Sequence, residues 1–104
     1  MPGRSNASVL LVTANGRLRD FVAELLRDRG FRVLHASDGK VAVGMARATR
    51  MRLVILWVGV PGDRLFLEAK GKQSWGGVTP VLLVSDSESE QAIISAVDRT
   101  FTVD

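Results

Sequence analysis

The sequence predicts an α/β protein built as one doubly wound domain, a parallel sheet of five strands with helices on both faces. Three observations predict it. Short apolar runs alternate strictly with amphipathic stretches of helical period, the pattern of β-α-β units. The central run Leu53–Val58 is apolar at every position, as a strand covered on both faces must be. The length of 104 residues, with 46% hydrophobic and 24% charged residues, suits a single core with a solvated surface.

Each element has a local reason. Val9-Leu10-Leu11-Val12 is a buried strand that ends in a tight turn, Thr13-Ala14-Asn15-Gly16, where Asn15 can cap the next helix. In that helix Leu18, Phe21, Val22, Leu25 and Leu26 recur at i, i+3, i+4, i+7 and i+8, an apolar stripe that Gly30 stops. Phe31–Ala36 is the second strand, with Val33 and His35 on one face and Leu34 and Ala36 on the other. After the turn Ser37-Asp38-Gly39 a second helix runs to near Arg50, with Val41, Met45 and Ala48 inward. Gly59-Val60-Pro61-Gly62 is a loop, and Asp63 caps a third helix over Arg64–Lys72. Lys70 through Gly77 is loop-like, and Thr79-Pro80 leads into the strand Val81–Val84. Ser85-Asp86-Ser87 caps a fourth helix with Ala92, Ile93, Ala96 and Val97 inward. Thr100–Val103 reads as a fifth strand. Residues 1–8 are expected to form a flexible tail and 9–104 the domain.

Composition excludes several chemistries. With no cysteine there is no disulfide, thiolate metal site or cysteine nucleophile. A lone histidine, His35, rules out a multi-histidine metal site and is expected to be structural. No apolar run approaches the roughly 20 residues of a membrane span, and the first eight residues lack the apolar core of a signal peptide. A cytoplasmic location and no membrane partner are therefore expected. The net charge is +3, and the pI of about 10.2 reflects 14 Lys and Arg against 11 Asp and Glu with no tyrosine or cysteine. Arg17, Arg19, Arg27, Arg29, Arg32, Arg47, Arg50 and Arg52 are dispersed along the chain and read as solvated helix faces. Nucleic acid is therefore not expected as a direct ligand.

Several pieces of local wording accompany this order of elements: Leu18-Arg19, Glu24-Leu25-Leu26, Arg29-Gly30-Phe31, Ala36 through Gly39, Leu53–Leu56, Val60-Pro61-Gly62 and Thr79-Pro80-Val81. Together they make the chain, from Val9 onward, similar to the receiver domain of bacterial two-component response regulators. The resemblance implies a flavodoxin-like sheet of strand order 2-1-3-4-5, with its site at the carboxyl ends of strands 1, 3 and 4. It also implies phosphoryl transfer from a histidine kinase to an aspartate ending strand 3. Acidic residues after strand 1 would hold Mg²⁺, and a hydroxyl after strand 4 and a lysine after strand 5 would bind the phosphoryl oxygens.

At those positions this sequence departs from the family. The acceptor place falls on Trp57, the acidic pair on Thr13 and Ala14, and the lysine on Asp104. Asn15 offers one neutral oxygen, and only Ser85 matches. An indole cannot accept a phosphoryl group, so no enzymatic activity, no Mg²⁺ and no cofactor are expected. Asp38 and Asp63 read as helix caps and Asp86 as a turn residue, rather than a relocated acceptor. Trp57 has two readings, packing into the emptied pocket or an exposed anchor for a partner. Trp75, in a Gly-rich loop, and Phe101 are further candidate interaction residues. The family's fifth helix is not found after the fifth strand. The face it would cover is expected to meet a protein partner or a second copy of the chain. The function implied is a non-phosphorylatable pseudo-receiver, a protein-interaction module in bacterial signalling, transcriptional regulation or protein localisation. The alternative is a small-molecule sensor whose vacated pocket is lined by Thr13, Asn15, Trp57 and Ser85. Its turn lacks the Gly-x-Gly-x-x-Gly phosphate cradle.

Overall fold

The structure, a computed structural model, describes residues 7–72, 79–85, 87 and 89–102. In chain order the elements are β1 (Ser8–Val12), α1 (Gly16–Asp28), β2 (Arg32–Ala36), α2 (Gly39–Ala48), β3 (Leu53–Trp57), α3 (Asp63–Lys72), β4 (Val81–Val84) and α4 (Glu90–Thr102). The strands are all parallel, in the order β2-β1-β3-β4. Every residue of β1 and β3 is buried, because these apolar runs occupy the middle of the sheet. Ser8, counted with the tail on sequence grounds, opens β1 and is itself buried.

Alternation along the strands divides the core in two. On one face Val9, Leu11, Leu53, Ile55, Trp57 and Val84 pack against Val22, Ala23 and Leu26 of α1 and Ile93 and Val97 of α4. On the other, Leu10, Val12, Val54 and Leu56 pack against Ala42 and Ala46 of α2 and Phe66 of α3. Helix ends follow their sequence signals. Asn15 accepts the N–H groups of Arg17 and Leu18 at 3.0 and 3.2 Å, and Asp38 accepts that of Val41 at 2.8 Å. At the end of α1, Gly30 takes φ +88°, its N–H reaches the Arg27 carbonyl and that of Phe31 the Leu26 carbonyl. That is the paired closure for which glycine is favoured.

The fifth strand expected over Thr100–Val103 is not formed: α4 continues through Thr102, and Val103 lies outside the described residues. The β-branched threonines around Phe101 imitate a strand alternation. However, the spacing 93–97–101 is helical, and extending a helix already formed adds a hydrogen bond for each residue fixed. Among the described residues the sheet therefore has four strands. The missing layer is also corrected. α4 lies beside α1, joined to it by Arg29, whose Nε and Nη2 donate to the Asp98 carboxylate at 3.0 and 3.3 Å. Val9, Leu11 and Ile55, on the face expected to be bare, are fully buried. Within α2 the inward positions are Gly39, Ala42 and Ala46, whereas Val41 is 47% exposed and Ala48 is exposed. In α4, Ile93 and Val97 are buried, Ala96 is half-buried and Ala92 is exposed. Its start is capped by Ser89, whose Oγ accepts the Ala92 N–H at 3.1 Å, rather than by the Ser85–Ser87 turn.

Candidate functional site

The carboxyl ends of β1 and β3 frame a cleft of about 140 Å³, lined by Thr13, Ala14 and Asn15 on one side and by Trp57 through Pro61 on the other. Its polar groups are largely committed to one another. Thr13 Oγ1 accepts the Asn15 N–H at 3.0 Å, while Asn15 Oδ1 is occupied by the α1 cap. The Thr13 N–H donates to the Ala36 carbonyl, and the Thr13 carbonyl lies 2.9 Å from His35 Nε2. His35, half-buried on the sheet edge, thus ties β2 to the end of β1, the structural role expected of it.

Trp57 is 2% exposed and belongs to the α1–α4 core, so it is a packing residue and not an exposed anchor. Its indole Nε1 is buried with no hydrogen-bond partner among the described residues. An orphaned donor of this kind costs about 1–3 kcal/mol. Burying roughly 200 Å² of indole returns about 5 kcal/mol at 25 cal/mol/Å². Packing therefore wins over the unmet hydrogen bond.

Among the described residues, none that lines the cleft is a carboxylate. Ser85 is not among them. It sits just beyond the Val58–Val84 backbone bond, where its Oγ accepts the Ser87 N–H at 3.0 Å and lies 2.6 Å from Ser87 Oγ. Trp75, Asp86 and Asp104 fall outside the described residues. Phe101 is helical, not in a strand. Among the described residues no group of three His, Cys, Asp or Glu could hold a metal ion, and no helix is long and apolar enough to cross a membrane.

The loop after β3 contributes lining residues that the sequence did not single out, Val58, Gly59, Val60 and Pro61. It is held by Asp63, whose Oδ2 accepts the Gly59 N–H at 2.8 Å and whose Oδ1 accepts the Arg64 N–H at 2.7 Å. The Gly59 hydrogen bond is the main reason the Asp63 carboxyl sits below its ordinary value of 3.8. A depressed carboxyl stabilises the fold above its unfolded pKa, and that contribution is lost as pH falls through the folded one. The Gly59 amide resonance is accordingly expected to titrate with a midpoint below 3.8, and Asp63→Asn to abolish that titration. NMR across the acid range checks both.

Solved structures of this architecture are numerous. The chain superposes on the chemotaxis response regulator CheY4 of Vibrio cholerae with a TM-score of 0.80 at 23% identity, covering 91% of this chain and 98% of that one. It superposes on the receiver domain of the hybrid histidine kinase CckA with a TM-score of 0.70 at 24% identity, covering 92% and 100%. The chain has the fold of a response-regulator receiver domain. A signal receiver domain of a histidine kinase from Syntrophus aciditrophicus gives a TM-score of 0.76 at 16% identity, covering 93% and 91%. No protein-family model and no curated sequence matches the chain. In this receiver fold the cleft lies at the carboxyl ends of the strands, where doubly wound sheets place their sites. Its floor and walls here are neutral.

Proposed function

We propose that this receiver-fold chain is an interaction module that takes up no phosphoryl group. The observation that supports this reading is Trp57: the last residue of β3 is a buried indole, and among the described residues no carboxylate lines the cleft beside it. A phosphoryl acceptor needs a nucleophilic oxygen, and Mg²⁺ needs anionic oxygen ligands. Trp57 has no oxygen to offer, and Thr13 and Ala14 supply no anionic charge for Mg²⁺. The reading places the chain in two-component signalling as a partner held by contact, with no phosphate-driven change of state.

The contact surface in this reading is the outer edge of β4. The carbonyls of Pro80 and Val84 accept from Val54 and Val58 of β3, so by alternation the N–H and C=O groups of Val81 and Leu83 point away from the sheet. Leu83 is 49% exposed, and the strand Val-Leu-Leu-Val contains no charge or proline to blunt its edge. The occupant is a second copy of the chain. The edge is self-complementary, because antiparallel pairing about a two-fold axis sets the outward N–H and C=O groups of Val81 and Leu83 against the same groups of the copy. Light scattering is expected to give twice the 11.3 kDa chain mass. Leu83→Lys should halve that mass without changing the far-UV circular dichroism. A wild-type monomer at high concentration would contradict the dimer.

A small-molecule sensor is the weaker reading. A cleft of about 140 Å³ is smaller than the ~300–1,000 Å³ of ordinary ligand pockets, and its threonine and asparagine oxygens already have partners.

A further inference from the structure

The arginines that look dispersed along the sequence are collected by the topology. In an all-parallel sheet every helix-to-strand connection lies at one end, opposite the cleft. Arg27, Arg47 and Arg99 are in the last turns of α1, α2 and α4, while Arg32, Arg50 and Arg52 stand at or next to the strand starts. All six are exposed. The Arg32 N–H donates to the Ala7 carbonyl at 2.8 Å and the Arg52 N–H to the Ser8 carbonyl at 2.6 Å. These two residues therefore flank β1 in one row, about 10 Å apart at two strand spacings. A seventh arginine, Arg29, is paired with Asp98.

With Lys70 and Lys72 in the last turn of α3, seven arginines and two lysines against Asp28 and Asp98 give this end a formal charge of +7; the whole chain carries +3, so everything else sums to −4. Compensation of helix dipoles explains part of this. Each helix C-terminus presents about half a negative charge, which suits Arg27, Arg47 and Arg99. It does not explain Arg32, Arg50 and Arg52, which lie in connections and at strand starts. The positive charge exceeds what the helix ends call for.

We infer that this end is a binding face for the phosphate backbone of nucleic acid, without base readout. Guanidinium groups pair bidentately with phosphate oxygens, and seven of the nine cationic residues counted at this end are arginines. The neighbouring apolar side chains are withdrawn: Met51 is 4% exposed and Phe31 is half-buried. None of the exposed large hydrophobic residues, Val41, Val58, Leu65, Leu67 and Leu83, lies in these connections. Among the described residues a lipid surface would find nothing to receive, and a protein partner no apolar anchor of the kind that dominates protein interfaces. A polyanionic backbone needs only the charge array. The face is separate from the β4 edge, so this inference does not depend on the reading above.

The test is fluorescence anisotropy of a labelled mixed-sequence DNA duplex titrated with the full chain across a salt series. Binding is expected at low salt, with a log–log slope of about −3 to −5, corresponding to roughly four to six neutralised phosphates. The double variant Arg47→Glu, Arg50→Glu should weaken binding by at least about tenfold and reduce the slope by about 2. Arg47→Lys, Arg50→Lys should retain most of it. Arg17→Glu, Arg64→Glu, which makes the same charge change at the opposite end, should stay within about twofold of wild type. Three results would overturn the inference: no binding at low salt, equal losses in the two glutamate variants, or binding to phosphatidylserine vesicles without binding to the duplex.

Discussion

Trp57→Ala is expected to lower the unfolding free energy by about 3–5 kcal/mol, the range for truncating a large buried aromatic. Urea denaturation followed by circular dichroism would measure it. The indole heads the largest fully buried side chains and lies in the cluster where β1, β3 and β4 meet α1 and α4. Its removal leaves a cavity that surrounding strands cannot close. Trp57→Phe is the informative companion. It loses apolar area but also removes the orphaned N–H, and the two effects oppose each other, so a cost below about 1.5 kcal/mol is expected. Trp57→Asp should be at least as damaging as alanine, because the carboxylate would enter the apolar cluster on the α1–α4 face, whose described members include no cation. Reinstating an aspartate at this position is therefore not expected to rebuild a phosphorylation site. A stable Trp57→Asp variant that takes up phosphate would contradict that account.

Gly39→Ala is expected to cost about 3 kcal/mol and to lower Tm by roughly 10–20 °C. A Cβ on Gly39 would overlap the Gly62 carbonyl oxygen, a backbone atom that cannot swing aside. The approach is fixed by the Gly39 N–H donating to the Pro61 carbonyl at 2.7 Å, and Gly62 adopts φ +80°. Here the start of α2 abuts the loop that enters α3, at the same end of the sheet as the cleft. Gly44→Ala in the same helix gives the contrast. A Cβ there meets nothing within 4 Å, so the substitution should stabilise the protein by about 0.5–1 kcal/mol through helix propensity. Thermal denaturation of the two variants side by side checks both signs.

What could be read directly from the sequence was local or governed by burial on both faces. Leu53–Trp57 and Val9–Val12 are apolar throughout, so their central place needed no partner to be inferred. Asn15, Asp38 and Gly30 carry their roles in their own side chains or lack of one. The phase of α2 was misread because its inward residues are Gly39, Ala42 and Ala46, small groups admitted by close packing, while the larger Val41 faces out. The end of α4 was misread because Thr-Phe-Thr alternates like a strand when its helical context is ignored. With no fifth strand, the last helix could fill the layer beside α1, a consequence visible only once Arg29, Asp98, Ile93 and Val97 are placed together. The cleft was legible at Thr13, Ala14, Asn15 and Trp57, but not in Val58–Pro61, which enter it only because the loop after β3 turns back. Ser85 was assigned to it by position and lies outside its lining. The arginine face was invisible for the same reason as the Gly39–Gly62 contact. Residues far apart in sequence meet only through the topology.

The central claim is that this receiver fold takes no phosphoryl group. Intact-mass measurement after incubation with a small-molecule phosphodonor and Mg²⁺ tests it most directly, with fragmentation to locate any adduct. The account predicts an unchanged mass. Gain of one phosphoryl group, localised to an aspartate such as Asp38, Asp63 or Asp86, would contradict it.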